Sequence, residues 1–435
     1  MGIAPRPESN GSMNSLMSQD APAHDWYRFV LSYPPHLVRD YVHRFGLDGS
    51  QRLLDPFCGT GTTLVEAKKL GMPSLGLEAI GVSHFSACTK VDWSPDPDNL
   101  AAHARLVAEK ALAMLAADGI SDEPMQRPPS DVRLRSLPVQ AAKLLLKNSI
   151  SPLPLHKVLV LKDALEGEHD SRFAAHEMLA LARVLPTEVG NLRFGPEVGV
   201  GKVRLDASVV SRWLSSVLSM SDDLRHLGPL DATLACAIEG DAREVDQHIE
   251  PESIDAVITS PPYPNEKDYS RTVRLESVLL GYISDRSDLQ AMKKELVRSN
   301  TRGVYRNDDD DQWINGDAEV ERIATAIEAR RIELGKESGF ERMYHRVTKL
   351  YFGGMARHFA SLRKVLRPGA RLAYVVGDQA SYLRVMIRTG EILAEVAERA
   401  GYEVETIELF RTRHATATNE QLREEVLVLR WPGTA

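Results

Sequence analysis

The chain has 435 residues, 43% of them hydrophobic and 26% charged, with a formal net charge of −8. That is the composition of a globular protein with room for two packed units, or for one domain carrying large insertions. No apolar run approaches the ~20 residues that cross a bilayer, and Cys58, Cys88 and Cys236 form no C-x-x-C pair, which argues against a disulfide framework and fits a reducing cytoplasm.

Residues 1–24 are rich in Ser, Pro and Asn, offer little to bury and are expected to form a loose arm. Trp26 to Leu47 reads as an aromatic loop and then a helix opened by Pro34 and Pro35, with Leu37, Val38, Tyr41 and Val42 on one face and Gly46 as its stop. Arg52-Leu53-Leu54 leads into Asp55 as a short buried strand. A glycine turn follows, then a helix through Leu64, Val65, Ala67 and Leu70 that ends at Gly71, and a second strand over Pro73–Leu77. Such a strand-turn-helix-strand unit opens a doubly wound sheet.

The alternation then breaks. From about Ser83 to Leu230 the sequence is mainly helical, with apolar residues at helical spacing over Leu144–Leu185 and a helix near Ser208–Leu224. Strands resume at Ala232–Ile238, which runs into Gly240-Asp241, and at Ile254–Thr259. A second insertion, Asn265 to about Tyr351, is charged and mostly helical. In it a basic strip of Arg298, Arg302 and Arg306 is followed by Asp308–Asp311, read as a solvated loop. A helix over Met355–Leu366, the turn Arg367-Pro368-Gly369, a strand over Arg371–Val376 and a helix over Thr389–Ala400 come next. Glu403–Phe410 and Glu425–Trp431 close the chain as an antiparallel pair. The expected fold class is therefore α/β, a Rossmann-like seven-stranded sheet with helical insertions. Its parts are a sheet domain over residues 25–82, 231–264 and 352–435, interrupted by insertions at 83–230 and 265–351.

The strongest local signal is Asp55-Pro-Phe-Cys-Gly-Thr-Gly-Thr-Thr63. After a strand, Gly59 and Gly61 let the backbone turn tightly and approach a ligand, and the next helix presents unpaired N–H groups suited to a carboxylate or a phosphate. Read alone, the G-x-G also fits NAD. Glu78, closing the second strand, is placed to accept both hydroxyls of a ribose or to stand as a solvated carboxylate. Asp241, closing the third, fits a role towards an adenine amino group or a turn cap. Thr259-Ser-Pro-Pro-Tyr263 follows an apolar strand directly. Its two prolines remove N–H donors and stiffen the turn, leaving Ser260 Oγ and the Pro261 carbonyl to accept both hydrogens of an aromatic amine, while Tyr263 offers a face for an extruded base.

Together, Asp55–Thr63 and Ser260–Tyr263 resemble the amino-methyltransferase family of DNA modification enzymes, the cytosine-N4 and adenine-N6 DNA methyltransferases. The resemblance implies a seven-stranded S-adenosylmethionine-dependent methyltransferase sheet and a DNA substrate with its target base flipped from a duplex or taken from a single strand. It also implies a cytoplasmic setting beside a cognate restriction or defence component. Tyr33, in the Trp26–Val38 stretch that resembles the family's N-terminal motif, then joins Asp55, Pro56, Phe57, Gly59, Gly61, Thr62, Glu78 and Asp241 as the cofactor set. Ser260, Pro261, Pro262 and Tyr263 carry over as the catalytic motif. S-P-P-Y is commoner among cytosine-N4 members, so cytosine N4 is the expected target, with adenine N6 the first alternative. A transfer-RNA guanine-N2 methyltransferase would carry D-P-P-Y-G, whereas Ser260 and Pro264 stand here; a non-catalytic specificity subunit has no use for an intact S-P-P-Y. No metal is expected, because the thirteen histidines show no H-x-x-x-H spacing. Arg271 and Arg274 would meet phosphates or pair with nearby acids, Arg411 and Arg413 sit at a hairpin end, and Cys58 reads as a small buried side chain. The net charge of −8 counts against an evenly basic nucleic-acid binder, although phosphates are met by local patches.

Overall fold

The structure is a computed structural model that describes residues 16–28, 32–125, 132–195, 197–414 and 421–433. Seven strands, β1 (Leu53–Asp55), β2 (Ser74–Glu78), β3 (Ala235–Glu239), β4 (Ile254–Thr259), β5 (Leu366–Gly377), β6 (Glu403–His414) and β7 (Gln421–Arg430), form one sheet in the order β3-β2-β1-β4-β5-β7-β6. β7 runs antiparallel to both of its neighbours, and the other adjacent pairs are parallel. β1 and β4 are apolar almost throughout because a parallel strand at the middle of such a sheet is covered on both faces. Leu53 lies opposite Ser74 on one side and Ala256 on the other. This register brings Asp55, Glu78 and Thr259 to one edge of the sheet, beside the point where the strand order reverses and open α/β sheets bind their ligands.

Helix α1 (Pro35–Phe45) starts and stops where the sequence says, ending on Gly46 at φ +65°. It is followed by α2 (Thr62–Lys69), α3 (Gly81–Lys90), α4 (Pro97–Ala117), α5 (Pro152–Gly167), α6 (Ala174–Val184) and α7 (Val210–Leu227). α3 begins before residue 83 and packs on β3, with His84 Nε2 at 3.2 Å from the Ala237 carbonyl. It is therefore the sheet's own crossover helix, and the first insertion begins after it. Leu100 and Val107 of α4, Leu161 of α5, Leu181 of α6 and Trp213 of α7 share one core with Trp26, Tyr27, Leu64 and Val65. The insertion is thus fused to the helix that follows the glycine loop.

The expected arm differs as well. Residues 1–15 lie outside the described residues, but from Asp20 the chain is packed: Asp20, Ala23 and His24 are buried. Its anchors are polar, which is why no apolar run announced them. His24 Nε2 lies 2.7 Å from Glu66 Oε1, and Arg39 Nη2 donates to Asp20 Oδ2 at 3.2 Å.

The second insertion carries α8 (Arg286–Lys294) and α9 (Ala318–Glu333) and runs without a break into α10 (Tyr344–Leu362), which begins eleven residues before the expected Met355. Gly353 and Gly354 sit mid-helix as a notch. A Cβ on Gly353 would stand 2.0 Å from the Asp310 carbonyl oxygen. The acidic run is correspondingly not a solvated loop. Asp310 is buried and pairs with Arg243 Nη1 at 2.5 Å, and Asp308 takes Arg298 Nε at 2.8 Å, so Arg298 leaves the expected basic strip. After α11 (Thr389–Arg399), β6 runs on past Phe410 through a register shift between Leu409 and Arg411 that leaves Phe410 as the extra residue of a bulge. No helix among the described residues is long and apolar enough to cross a membrane.

Candidate active site

A cleft opens at the carboxyl edge of β1, β2 and β4 and reaches into the second insertion. Eleven of the thirteen expected cofactor and catalytic residues line it: Tyr33, Pro56, Phe57, Gly59, Thr62, Glu78, Asp241, Ser260, Pro261, Pro262 and Tyr263. Asp55 and Gly61 do not.

Asp55 is fully buried, and its carboxylate is consumed within the protein. Oδ1 accepts from the Phe57 N–H at 3.1 Å and Thr259 Oγ1 at 2.5 Å; Oδ2 accepts from Tyr33 Oη at 3.1 Å and Thr63 Oγ1 at 2.5 Å. Burial pushes its pKa up, and the four donors work against that. One side chain therefore ties the N-terminal stretch, the glycine loop, α2 and the end of β4 together behind the cleft wall. Gly61, at φ +87°, sits under α3, where a Cβ would stand 3.1 Å from Ala87 Cα.

Gly59, at φ +53°, has no atom within 4 Å of where a Cβ would stand, so its missing side chain leaves space open. Its N–H donates to Glu78 Oε2 at 2.9 Å, and the Ile80 N–H donates to Glu78 Oε1 at 2.8 Å. Each oxygen keeps a second acceptor direction. Burial raises the Glu78 carboxyl to about 7. Asp241 is half of an ion pair: Arg243 grips it through Nη2 at 2.5 Å and Nε at 3.0 Å, and the same guanidinium reaches Asp310. The sequence read Asp241 without this partner.

In the Ser-Pro-Pro-Tyr turn, Ser260 Oγ donates to the Val375 carbonyl on β5 at 3.1 Å. The Tyr263 N–H is taken by Tyr269 Oη at 3.2 Å. The tyrosine ring lies over Gly377, where a Cβ would come within 3.1 Å of Cε2.

The cleft also holds residues that the sequence reading missed, among them Lys267, Asn300 and the bulged Phe410. Asn300 Nδ2 donates to the Lys267 carbonyl at 3.1 Å. Nothing in periodicity or composition points to Asn300; for Phe410 the signal was an aromatic residue at an expected strand end. Arg271 faces Glu197 at 3.8 Å, and Arg274 Nη2 donates to Ser270 Oγ at 2.8 Å, so both are engaged within the protein. Arg411 pairs with Glu424 at 2.5 Å; the side chains of Arg413 and His414 lie outside the described residues. Cys58 is buried against Gly76, as its small size suggested.

A nicotinamide-type sheet continues with parallel strands, whereas here β7 is inserted in reverse between β5 and β6, and a proline-stiffened turn closes β4. These features match the sheet expected of an S-adenosylmethionine-dependent methyltransferase. The donor set fits that cofactor: a carboxylate with spare acceptor directions suits a ribose diol, the α2 N-terminus with Thr62 suits a carboxylate, and Phe57, Leu77 and Ile80 provide an apolar slot.

Comparison with known proteins extends the resemblance beyond two motifs. The chain is 23% identical to the type II methyltransferase M.BsoBI of Geobacillus stearothermophilus over 433 residues, covering 91% of this chain and 82% of that one. It is 22% identical to the type II methyltransferase M.AvaI of Nostoc sp. over 452 residues, covering 95% and 88%. No protein-family model matches the chain. TrmN from Thermus thermophilus, a solved structure, aligns with 94% of this chain at 11% identity and a TM-score of 0.30, and the chain spans 52% of it.

Proposed function

We propose that this protein methylates an exocyclic base amine in DNA, with cytosine N4 as the target, and serves beside a cognate restriction component. The observation that carries the reading is the orientation of Ser260. Its hydroxyl has one proton, given to the Val375 carbonyl, so the oxygen is left as an acceptor at the cleft. With the Pro261 carbonyl it takes the two hydrogens of an aromatic amine, and this draws the nitrogen lone pair out of conjugation with the ring. The cofactor, when bound, supplies an electrophilic methyl carbon and leaves as a neutral thioether. The amine nitrogen held by Ser260 and Pro261 would take that methyl group and give up one proton to water. No covalent enzyme intermediate is needed; the chain contributes position and hydrogen bonds. The target amine lies inside a duplex stack, so the base must leave it first, and Tyr263, held against Gly377, gives the extruded ring a face.

The cofactor roles divide in the same way. Glu78 holds the ribose, Gly59 and Thr62 meet the amino-acid end, Phe57 and Ile80 flank the adenine, and Tyr33 closes the pocket from the N-terminal side. Asp55 and Gly61 act one layer behind, as positioning residues. DNA as substrate rests on the motif resemblance and on relatives named type II methyltransferases.

Purified protein incubated with labelled S-adenosylmethionine and either genomic DNA or total RNA, then digested to nucleosides for mass spectrometry, tests the reading. Label in N4-methylcytosine from DNA, lost in Ser260→Ala and Tyr263→Ala, is the expected result. N6-methyladenine would keep the mechanism and change the base. Label in RNA alone would refute the DNA reading.

A further inference from the structure

Beside the Ser-Pro-Pro-Tyr turn, three residues form a row across the sheet. Gly377 of β5 lies opposite Glu424 of β7, and Glu424 lies opposite Arg411 of β6. Residues directly opposite one another project from the same face of a sheet. That face is the one on which the catalytic turn sits: a Cβ on Gly377 would stand 3.1 Å from Tyr263 Cε2 and 3.3 Å from Glu424 Cγ. Ser260 is held to the same strand two residues earlier, at the Val375 carbonyl. Ser260, Tyr263, Glu424 and Arg411 all line the one cleft.

Arg411 comes to this face through the bulge. Without an extra residue, Phe410 would stand opposite Glu424; the register shift between Leu409 and Arg411 puts the arginine there instead. Glu424 Oε2 accepts from Arg411 Nε at 2.5 Å, which anchors the guanidinium at its inner nitrogen. The two outer nitrogens, Nη1 and Nη2, take no hydrogen bond among the described residues, and they keep accessible surface. A planar fork anchored from behind and open in front suits a ligand with two adjacent acceptors in one plane. The Glu424 carboxylate balances its charge, so the fork can hold a ring without drawing electrons from it strongly.

We propose that Arg411 selects cytosine over adenine as the base to be methylated. The proposal rests on the DNA reading above. With the amine at Ser260 and the Pro261 carbonyl, the next two atoms along the edge of a cytosine are N3 and O2, both acceptors, and the two outer nitrogens of Arg411 donate to them. Adenine presents N1 and then a C2–H, which leaves one N–H of the fork facing carbon. A site built to donate two hydrogen bonds rejects a base that accepts only one of them.

The test uses the full chain and a duplex carrying the methylation site mapped by sequencing treated genomic DNA, with either cytosine or 2-thiocytosine at the target position. Sulfur in place of O2 keeps the amine and N3 and removes the stronger acceptor. The wild-type protein is expected to lose roughly tenfold or more in kcat/KM on the thio duplex. Arg411→Met is expected to lose a similar factor on cytosine, to show little further loss on 2-thiocytosine, and to keep its affinity for S-adenosylmethionine. Arg411→Lys, which restores a single point donor, should fall between the two. Equal wild-type rates on both duplexes would overturn the proposal, and that comparison stands even if both variants fail to fold. A thio penalty in Arg411→Met as large as in the wild type, or Arg411→Met as fast as the wild type on cytosine, would overturn it too. DNA methylated only at adenine, or not at all, removes the reading beneath the proposal and the proposal with it; cytosine methylation without a thio penalty removes the proposal alone.

Discussion

Asp55 was read from the sequence as a cofactor ligand, and the structure gives its carboxylate four protein donors and no place in the cleft wall. Asp55→Asn puts an amide where two hydroxyls point, and it is expected to cost about 2–4 kcal/mol, read as a fall in the denaturation midpoint. Cofactor affinity should drop with it, because Tyr33 and the glycine loop lose their common anchor. The motif was legible because its residues are contiguous; its distant partners were not, because they come from positions 33 and 259. Glu78 is the reverse case. Its place at a strand end was readable, and its ionisation was not, since that depends on how deeply the cleft buries it. With the carboxyl raised to about 7 and the ionised form the better acceptor for a diol, cofactor affinity is expected to rise roughly tenfold between pH 6 and pH 8. Calorimetric titration of Glu78→Gln across that range should give a flat profile.

At the scale of elements, hydrophobic period and glycine punctuation placed α1, α2, β1, β2 and β4 within a residue or two. They missed the first eleven residues of α10, which carries a glycine pair in its middle. The pair is there for the Asp310 backbone, so Gly353→Ala is expected to expel the 308–311 loop and cost about 1–3 kcal/mol. Faster amide exchange confined to that loop would show it. α3 offers a different test. Lys90 is buried, donates to the Tyr27 carbonyl at 3.3 Å, and has its pKa lowered by burial to about 7 from an ordinary 10.5. Because the folded pKa is depressed, this group's contribution is most favourable above about pH 10.5 and is lost as pH falls towards 7. Lys90→Met is therefore expected to stabilise at pH 7, by at most about 4 kcal/mol, with the gain shrinking as pH rises to 10. Denaturant midpoints measured at pH 7 and pH 10 would check both the sign and the trend.

For the whole molecule, the sequence separated a sheet from two insertions, and the structure binds them more closely than that division suggests. Arg243 joins Asp241 at the cleft to Asp310 in the second insertion, and Trp26 and Tyr27 share a core with the first. Long-range ion pairs and shared cores leave no local pattern, so the insertions read as separable blocks. Asp310→Asn is expected to weaken cofactor binding several-fold, although Asp310 is absent from the cleft wall, because Arg243 loses the partner that fixes its grip on Asp241. An unchanged dissociation constant would show that the second insertion is held independently of the cleft.

The register of the central strand also has a consequence in time. Leu53 of β1 pairs with Ala256 of β4, and all of the first insertion lies between them in the chain. During synthesis the glycine loop and its helix emerge long before the strand that completes their sheet, and the α4–α7 block is made in the interval. Closing so wide a separation is entropically slow. Until β4 arrives, one side of β1 stays an open edge, so the nascent chain passes through a stage in which its cofactor loop is made but has no sheet to rest on.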